Sequence, residues 1–235
     1  GVLPLRARPR VAILSTGDEL VPPGAPCPPG KLPASNGVML RAMAEGAGAV
    51  IASEQMVGDD LDAITTAIEA ARGADVLVTS GGASVGDHDL VRPALEAAGG
   101  AIDFWRIAMR PGKPLIVGRL GGTIFLGLPG NPVSAMVTGA LFLLPLLRHL
   151  AGSAAPLPAP QRLPLGAPMP ATGKRAEFVR ARLDAGQASP LAFQDSAAMH
   201  AAALADGLIH RPAGSPAAQV GDLVEVLDRS TLGLG

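Results

Sequence analysis

Short apolar runs alternate with segments of helical periodicity over the first two thirds of the chain. The runs are rich in Val, Ile and Leu, and the segments between them carry apolar residues three and four positions apart. Continuous aliphatic strands that alternate with helices are typical of a parallel sheet with helices on both faces. We therefore predict strands at 11–15, 50–52, 75–79, 104–109, 115–117 and 124–126, and helices at 38–45, 59–72, 90–98 and 131–150.

The pattern changes after residue 152. A Pro- and Ala-rich stretch at 152–160 is typical of a semi-rigid linker. Beyond it, short runs at 178–183, 208–210 and 223–227 are separated by turn residues, which favours a small β domain. The sequence thus predicts two domains, an α/β domain at 1–152 and a C-terminal β domain at 160–235.

Composition narrows the class of protein. Hydrophobic residues make up 48% and charged residues 17% of the chain, which is enough for a packed core. The net charge of −1 gives no global field for nucleic acid or an anionic membrane. The apolar run at 133–147 is short for a membrane span and contains Pro145. A single cysteine, Cys27, excludes an internal disulfide and fits a cytoplasmic setting.

The strand at 75–79 leads into a small-residue loop with acidic residues at its end, TSGGASVGDHD at 79–89. Glycines let a ligand approach the backbone, and free N–H groups at a helix start can bind a phosphate. The carboxylates of Asp87 and Asp89 beside a phosphate suggest Mg²⁺. An equally good reading of this segment alone is a glycine-rich surface loop whose aspartates cap the next helix.

Three other predicted strand ends also carry polar residues. These are STGDEL at 15–20, WRIAMRPGKP at 105–114 and LGLPGNPVSA at 126–135. Each alone fits a structural turn, but parallel strands bring their carboxyl ends to one edge of a sheet. Together they predict a site for a phosphorylated anionic ligand with Mg²⁺, and the residues themselves do not identify that ligand. The four histidines are scattered, and the serines show no hydrolase triad.

These segments, with SNGVML at 35–40 and VGDD at 57–60, resemble the molybdopterin molybdenumtransferases, the family of the MoeA-type proteins and the gephyrin E domain. The tail, including EFVRARL at 177–183 and VGDLVEVL at 220–227, is similar to the family's small C-terminal β-barrel domain. The resemblance implies a three-layer molybdopterin-binding α/β domain followed by that barrel. It also implies molybdenum cofactor biosynthesis, by Mg²⁺-dependent insertion of molybdate into adenylylated molybdopterin with release of AMP.

The resemblance also assigns roles to residues. It implies catalytic roles for Glu19, Asp60, Asp89, Arg106 and Arg110, the two arginines standing where the family often has lysines. It implies Mg²⁺ ligands at Glu19, Asp59 and Asp89, and leaves open which of Asp59 and Asp60 serves the site. The ligand-binding residues that it implies are Thr79, Ser80, Gly81, Gly82, Ser84, Gly86, Lys113, Pro129, Gly130, Asn131, Pro132, Arg180 and Ser196.

The start of the chain departs from the family. Full-length members carry further domains before the position of Gly1, and their site lies between the subunits of a homodimer. We therefore expect a fragment that is inactive alone, with small-molecule substrates and an upstream adenylyltransferase as partners. Three other readings stay open: a molybdopterin adenylyltransferase, a relative of the competence/damage-inducible proteins, and a non-catalytic docking scaffold. The β domain argues against the first two.

Overall fold

A computed structural model describes residues 5–82, 90–196 and 199–234. The strands are β1 (Arg10–Thr16), β2 (Leu20–Val21), β3 (Leu32–Pro33), β4 (Val50–Val57), β5 (Val76–Ser80), β6 (Ala101–Trp105), β7 (Met109–Arg110), β8 (Ile116–Leu120), β9 (Thr123–Leu128), β10 (Gln161–Pro164), β11 (Ala176–Asp184), β12 (Gln187–Pro190), β13 (Gly207–Arg211) and β14 (Leu223–Asp228). The helices are α1 (Ser35–Gly46), α2 (Leu61–Ala70), α3 (Val91–Ala97), α4 (Pro132–Thr138), α5 (Leu144–Leu150), α6 (Met199–Ala203) and α7 (Arg229–Leu232), with a π-helical turn at Gly139–Leu143 between α4 and α5.

The first sheet has the strand order β4-β1-β5-β9-β8-β6. The pairings β4–β1, β1–β5 and β5–β9 are parallel, whereas β9–β8 and β8–β6 are antiparallel. The α/β fold is confirmed, and the sheet is mixed because only Gly121 and Gly122 connect β8 to β9. Two residues suffice for a hairpin but not for the crossover that a parallel pair needs.

Both faces of the central strands of this sheet are buried. Val11 and Ile13 of β1 belong to one hydrophobic cluster with residues of α1, α4 and α5. Ala12 and Leu14 belong to a second cluster with residues of α2 and α3. Alternate residues of a strand point to opposite faces, so continuous apolar strands fit between two helical layers. The predicted three-layer arrangement is confirmed.

The helical run Pro132–Leu150 is long and apolar enough to cross a membrane by length and composition alone. The apolar run at 133–147 is shorter than this helix and by itself too short for a membrane span. In the structure, 61% of the apolar window is buried inside the protein, as expected for a core helix. Pro145 lies in the first turn of α5, directly after the π-helical turn.

The C-terminal sheet has the order β10-β14-β13-β11-β12 and is antiparallel throughout these pairings. Its two edges approach at one bridge, where the N–H of Gly166 donates to the carbonyl of Ala188 at 2.9 Å. The predicted β domain is therefore present, while closure into a barrel stays a prediction. β7, which lies between β6 and β8 in the chain, pairs with β11 and ties the two sheets together.

Candidate functional site

Four polar loops follow the carboxyl ends of the parallel strands of the first sheet and therefore lie at one edge of it. β4 ends before Asp59, β1 before Asp18, β5 before Gly81 and β9 before Pro129. β6 runs parallel to β9, because both are antiparallel to β8, so Arg106 also follows a strand end at this edge. The edge that the sequence predicted as the site is thus assembled by the topology.

The glycine loop after β5 lies against the end of β1. Gly81 has φ +98°, and a Cβ atom there would lie 2.2 Å from the carbonyl oxygen of Thr16. Gly82 has φ +60°, and a Cβ atom there would lie 2.4 Å from a methyl group of Val91 in α3. Only glycine fits these two positions, which brings bare backbone to the edge. Ser84, Gly86 and Asp89 lie outside the described residues.

The side chain of Asn36 joins two of the loops. Its Nδ2 donates to Ser80 Oγ at 2.8 Å and to the carbonyl of Gly130 at 2.7 Å. Ser80 Oγ in turn donates to the carbonyl of Pro129 at 3.4 Å. Serine and asparagine are common N-caps, but the N-cap of α1 is Ala34, which makes no side-chain cap bond. Asn36 fixes the ends of β5 and β9 instead.

The acidic residues separate into two roles. The N–H of Asp59 donates to Asp18 Oδ1 at 3.0 Å, and the N–H of Asp18 donates to Asp59 Oδ2 at 3.3 Å. This exchange places two carboxylates together, beyond β1 and β4. Asp60 instead caps α2, accepting from the N–H of Ala63 at 2.8 Å. The exposed carboxylate of Glu19 lies against Gly17, where an added Cβ would come within 2.6 Å of Oε2.

The acid pair is compatible with a hard divalent cation. Mg²⁺ is commonly held by one or two carboxylates, with water and substrate phosphates completing its shell. Asp18 and Asp59 supply two exposed carboxylates on adjacent loops. Within residues 5–82, 90–196 and 199–234, no group of three or more His, Cys, Asp or Glu side chains is close enough to hold a metal alone. These residues would therefore hold Mg²⁺ together with a ligand.

The cations lie at the other end of the edge. Arg106, Arg110 and Lys113 are all exposed, and the guanidinium carbon of Arg106 lies 3.8 Å from the ring centroid of Trp105. Arg106 has φ +72°, which ends β6 and breaks the single strand that the sequence predicted at 104–109. β1 and β6 are four strand spacings apart, or about 19 Å. Acids and cations thus flank the glycine loop from opposite sides.

The C-terminal domain reaches the same edge through residues 191–196. Ser196 Oγ accepts from Nδ2 of Asn131 at 3.0 Å, and the carbonyl of Ser196 accepts from the N–H of Val133 at 3.0 Å. Pro132 opens α4 between these two contacts. Ser196, Asn131, Pro132 and Gly130 are therefore brought together, and their role in ligand binding stays a prediction.

Arg180 is placed differently from its neighbours in the predicted site. It is 2% exposed, and its guanidinium donates to the carbonyls of Phe193 and Asp195, both at 2.9 Å. Burial lowers the pKa of this guanidinium, while the charge of Asp195 opposes the shift. The side chain of Gln194 bonds both the N–H and the carbonyl of Arg180. Arg180 thus organises the loop that carries Ser196.

Thr79 and Lys113 complete the predicted set. Thr79 is fully buried in β5, and its hydroxyl has no hydrogen-bond partner among the described residues. Lys113 is exposed, and its carbonyl accepts from the N–H groups of Ile107 and Leu115 at 3.1 Å each. Asn36 and Trp105 were not predicted as site residues. A polar residue in the first turn of a helix and an aromatic residue before an arginine were the only signals for them.

The fold is α/β, and one edge of its mixed sheet carries exposed acids, bare glycine backbone and exposed cations. The family model "Probable molybdopterin binding domain" matches residues 12–149, and the model for the MoeA C-terminal region (domain IV) matches residues 162–228. The chain therefore belongs to the family of molybdopterin-binding domains, in its MoeA-type form.

Curated relatives carry the corresponding name. Molybdopterin molybdenumtransferase 2 of Mycobacterium tuberculosis is 37% identical over 96% of this chain and 58% of its own length. Molybdopterin molybdenumtransferase of Staphylococcus aureus is 32% identical over 94% of this chain and 54% of its own. A solved molybdopterin biosynthesis MoeA protein from Pyrococcus horikoshii has a TM-score of 0.82 and 31% identity over 94% of this chain and 54% of its own. The chain thus spans between half and two thirds of these relatives.

Proposed function

We propose that this chain binds adenylylated molybdopterin and takes part in the insertion of molybdate into it, with release of AMP. The observation that carries the proposal is the row of strand ends, in which a bare glycine loop lies between an acid pair and a segment with three exposed cations. The family match and the names of the relatives support it. The cations would bind the phosphates and the oxyanion, and the acid pair would bind the Mg²⁺ that neutralises phosphate charge.

The residues divide the work by their chemistry. Asp18 and Asp59 would hold Mg²⁺, which neutralises phosphate charge when bound. Gly81 and Gly82 would let the ligand approach the backbone. Asn36 ties the end of β5, just before these glycines, to the loop after β9. Arg106, Arg110 and Lys113 would attract molybdate and the leaving phosphate, since guanidinium groups suit tetrahedral oxyanions. Glu19 and Asp89 remain proposed members of the acidic group.

Several wider properties belong to the same proposal. We place the domains at 1–152 and 160–235, and expect the second to be the family's small barrel. The whole protein would be a cytoplasmic homodimer that acts on small molecules and receives its substrate from an adenylyltransferase. The chain covers 58% of the M. tuberculosis relative, so we propose that these residues bind the substrate without turning it over alone. Turnover by the chain at the rate of a full-length relative would contradict this.

Calorimetry tests the site directly. Adenylylated molybdopterin would be titrated into the chain with and without Mg²⁺, beside Asp59→Asn and Asp89→Asn variants. We expect Mg²⁺-dependent binding that each variant weakens about ten-fold, because a charged ligand to the metal is lost. The matched control is Asp184→Asn, an exposed carboxylate at the end of β11.

Two results would count against the proposal. Binding by folded wild-type protein that ignores Mg²⁺ and both substitutions would place the ligand elsewhere. Consumption of ATP and molybdopterin without molybdate would instead identify an adenylyltransferase.

A further inference from the structure

Trp105 is the only tryptophan of the chain. Two arginines lie against its ring, one that precedes it in the sequence and one that follows it. The guanidinium carbon of Arg106 lies 3.8 Å from the ring centroid, and that of Arg92 lies 5.2 Å from it. Arg92 comes from α3, which follows the glycine loop, whereas Arg106 follows β6. Two elements thus bring two cations onto one indole.

The charges of this cluster are unevenly compensated. Arg92 has one acidic partner, Glu96, at 3.3 Å, and this pair is about half exposed. Arg106 has no ion pair within the described part of the chain. The indole N–H of Trp105 is buried and also lacks an acceptor there. Gathering like charges is unfavourable by itself, so the arrangement fits a bound anion that compensates them.

We propose that Arg92 is a further oxyanion-binding residue, and that Trp105 is a positioning residue that aims the guanidinium of Arg106. The proposal rests on the function proposed above and extends its anion site to α3. The ligand is a tetrahedral oxyanion, which molybdate and the phosphate of AMP both present. A guanidinium stacked on an aromatic face loses little freedom when it binds, which favours a fixed oxyanion position.

The fluorescence of Trp105 reports on this site without a label. Sodium molybdate and AMP would be titrated separately into the chain, with chloride holding the ionic strength constant. We expect a saturable change in emission, and about ten-fold weaker binding in Arg92→Gln and in Arg106→Gln. Arg119→Gln is the control, because Arg119 is an exposed arginine at the opposite end of β8. A response to molybdate, to AMP or to both supports the proposal and identifies the source of the oxyanion.

Substitution of the indole separates positioning from folding. By calorimetry, Trp105→Phe should bind the responding anion within about two-fold of wild type, and Trp105→Leu about five-fold more weakly, because only phenylalanine keeps an aromatic face. Thermal unfolding of both variants measures any loss of stability. If the role of Trp105 were purely structural, the variants would lose stability but would bind the anion with equal affinity.

Three outcomes overturn the proposal. They are no emission change with either anion, an Arg92→Gln affinity equal to wild type, and equal affinities of Trp105→Phe and Trp105→Leu. If Mg²⁺-dependent binding of adenylylated molybdopterin survives alongside any of them, this inference fails and the proposed function stands. If that binding is absent as well, the proposed function fails with it.

Discussion

Arg106 has a backbone conformation that residues with a Cβ rarely adopt. It is one of two described non-glycine residues with positive φ, at +72°. The left-handed region costs a residue with a Cβ about 1 kcal/mol, which glycine does not incur. Glycine would therefore suit the turn better, and the side chain must provide something else. In the structure its guanidinium packs on Trp105 at the edge of the site.

We predict that Arg106→Gly is about 1 kcal/mol more stable than Arg106→Ala. Both substitutions remove the guanidinium, so the difference isolates the backbone preference. Urea unfolding monitored by circular dichroism measures it. At Arg110, which lies in β7, the order should reverse, because alanine is favoured over glycine in a strand. Equal stability of the two Arg106 variants would contradict the left-handed conformation.

At the scale of elements, the start of α2 decides between two neighbouring aspartates. Asp60 bonds the N–H of Ala63 as the N-cap, whereas Asp59 faces Asp18 across the strand ends. A cap satisfies a helix N–H that otherwise has no partner. The sequence offered both residues to the site, and the geometry assigns one to the helix.

We predict that Asp60→Ala lowers the free energy of unfolding by about 1 kcal/mol and leaves Mg²⁺-dependent ligand binding within about two-fold of wild type. Asp60→Ser should restore the stability, because serine also caps. Asp59→Ala should show the opposite profile, with weakened binding and nearly unchanged stability. Denaturant unfolding and calorimetry on the same samples distinguish them, and loss of binding in Asp60→Ser would return Asp60 to the site.

The short helix α7 is capped in the same way by Asp228. Hydrogen bonds from the N–H and the hydroxyl of Thr231 hold the pKa of Asp228 below its usual value. A lowered pKa stabilises the fold above the unfolded-state pKa of about 3.9, and this stability is lost as the pH falls through the folded-state value. The acid side of the stability profile therefore depends on this residue.

We predict that the stability advantage of wild type over Asp228→Asn shrinks as the pH is lowered from 6 to 3. Asparagine still caps the helix but does not titrate. Chemical unfolding at a series of pH values measures the difference. An advantage that stays constant over this range would show that the carboxylate of Asp228 does not titrate differently in the folded chain.

At the scale of the whole molecule, one core joins the two sheets. The largest hydrophobic cluster contains Leu40 and Leu143 from the helices of the first domain together with Leu208 and Leu227 from the second sheet. β7 adds a strand of the first domain to the C-terminal sheet. Shared burial makes the folding of the two parts interdependent.

We predict that Leu208→Ala, which truncates a residue 3% exposed, destabilises the chain by about 2–5 kcal/mol. Trp105 fluorescence reports the unfolding of the first sheet, and amide exchange in β13 reports the unfolding of the second. Because the core is shared, the substitution should lower the free energy of unfolding by the same amount in both measurements. Leu5→Ala, at an exposed position, is the control. A shift in β13 alone would show that the two sheets unfold separately.

The sequence by itself determined the class of the fold and most of the strand ends that meet at one edge of the first sheet. Aliphatic strands alternating with amphipathic helices require a covered sheet, and the loops at 15–20, 79–89, 105–114 and 126–135 must then share an edge. These features follow from local periodicity and strand direction, so the loops near Gly81, Arg106 and Pro129 could be predicted. Asp59 was implied only by the family resemblance.

Only the tertiary structure decided which side chains do what at that edge. In the structure, Asp18 pairs with Asp59, whereas Asp60 caps a helix. Arg180 is buried and bonded to the loop that carries Ser196, and Asn36 joins two strand ends. Each of these contacts joins residues whose partners are chosen by the packing of other elements. Periodicity shows which face of an element is buried, but the distance between two side chains depends on how the elements are placed in space.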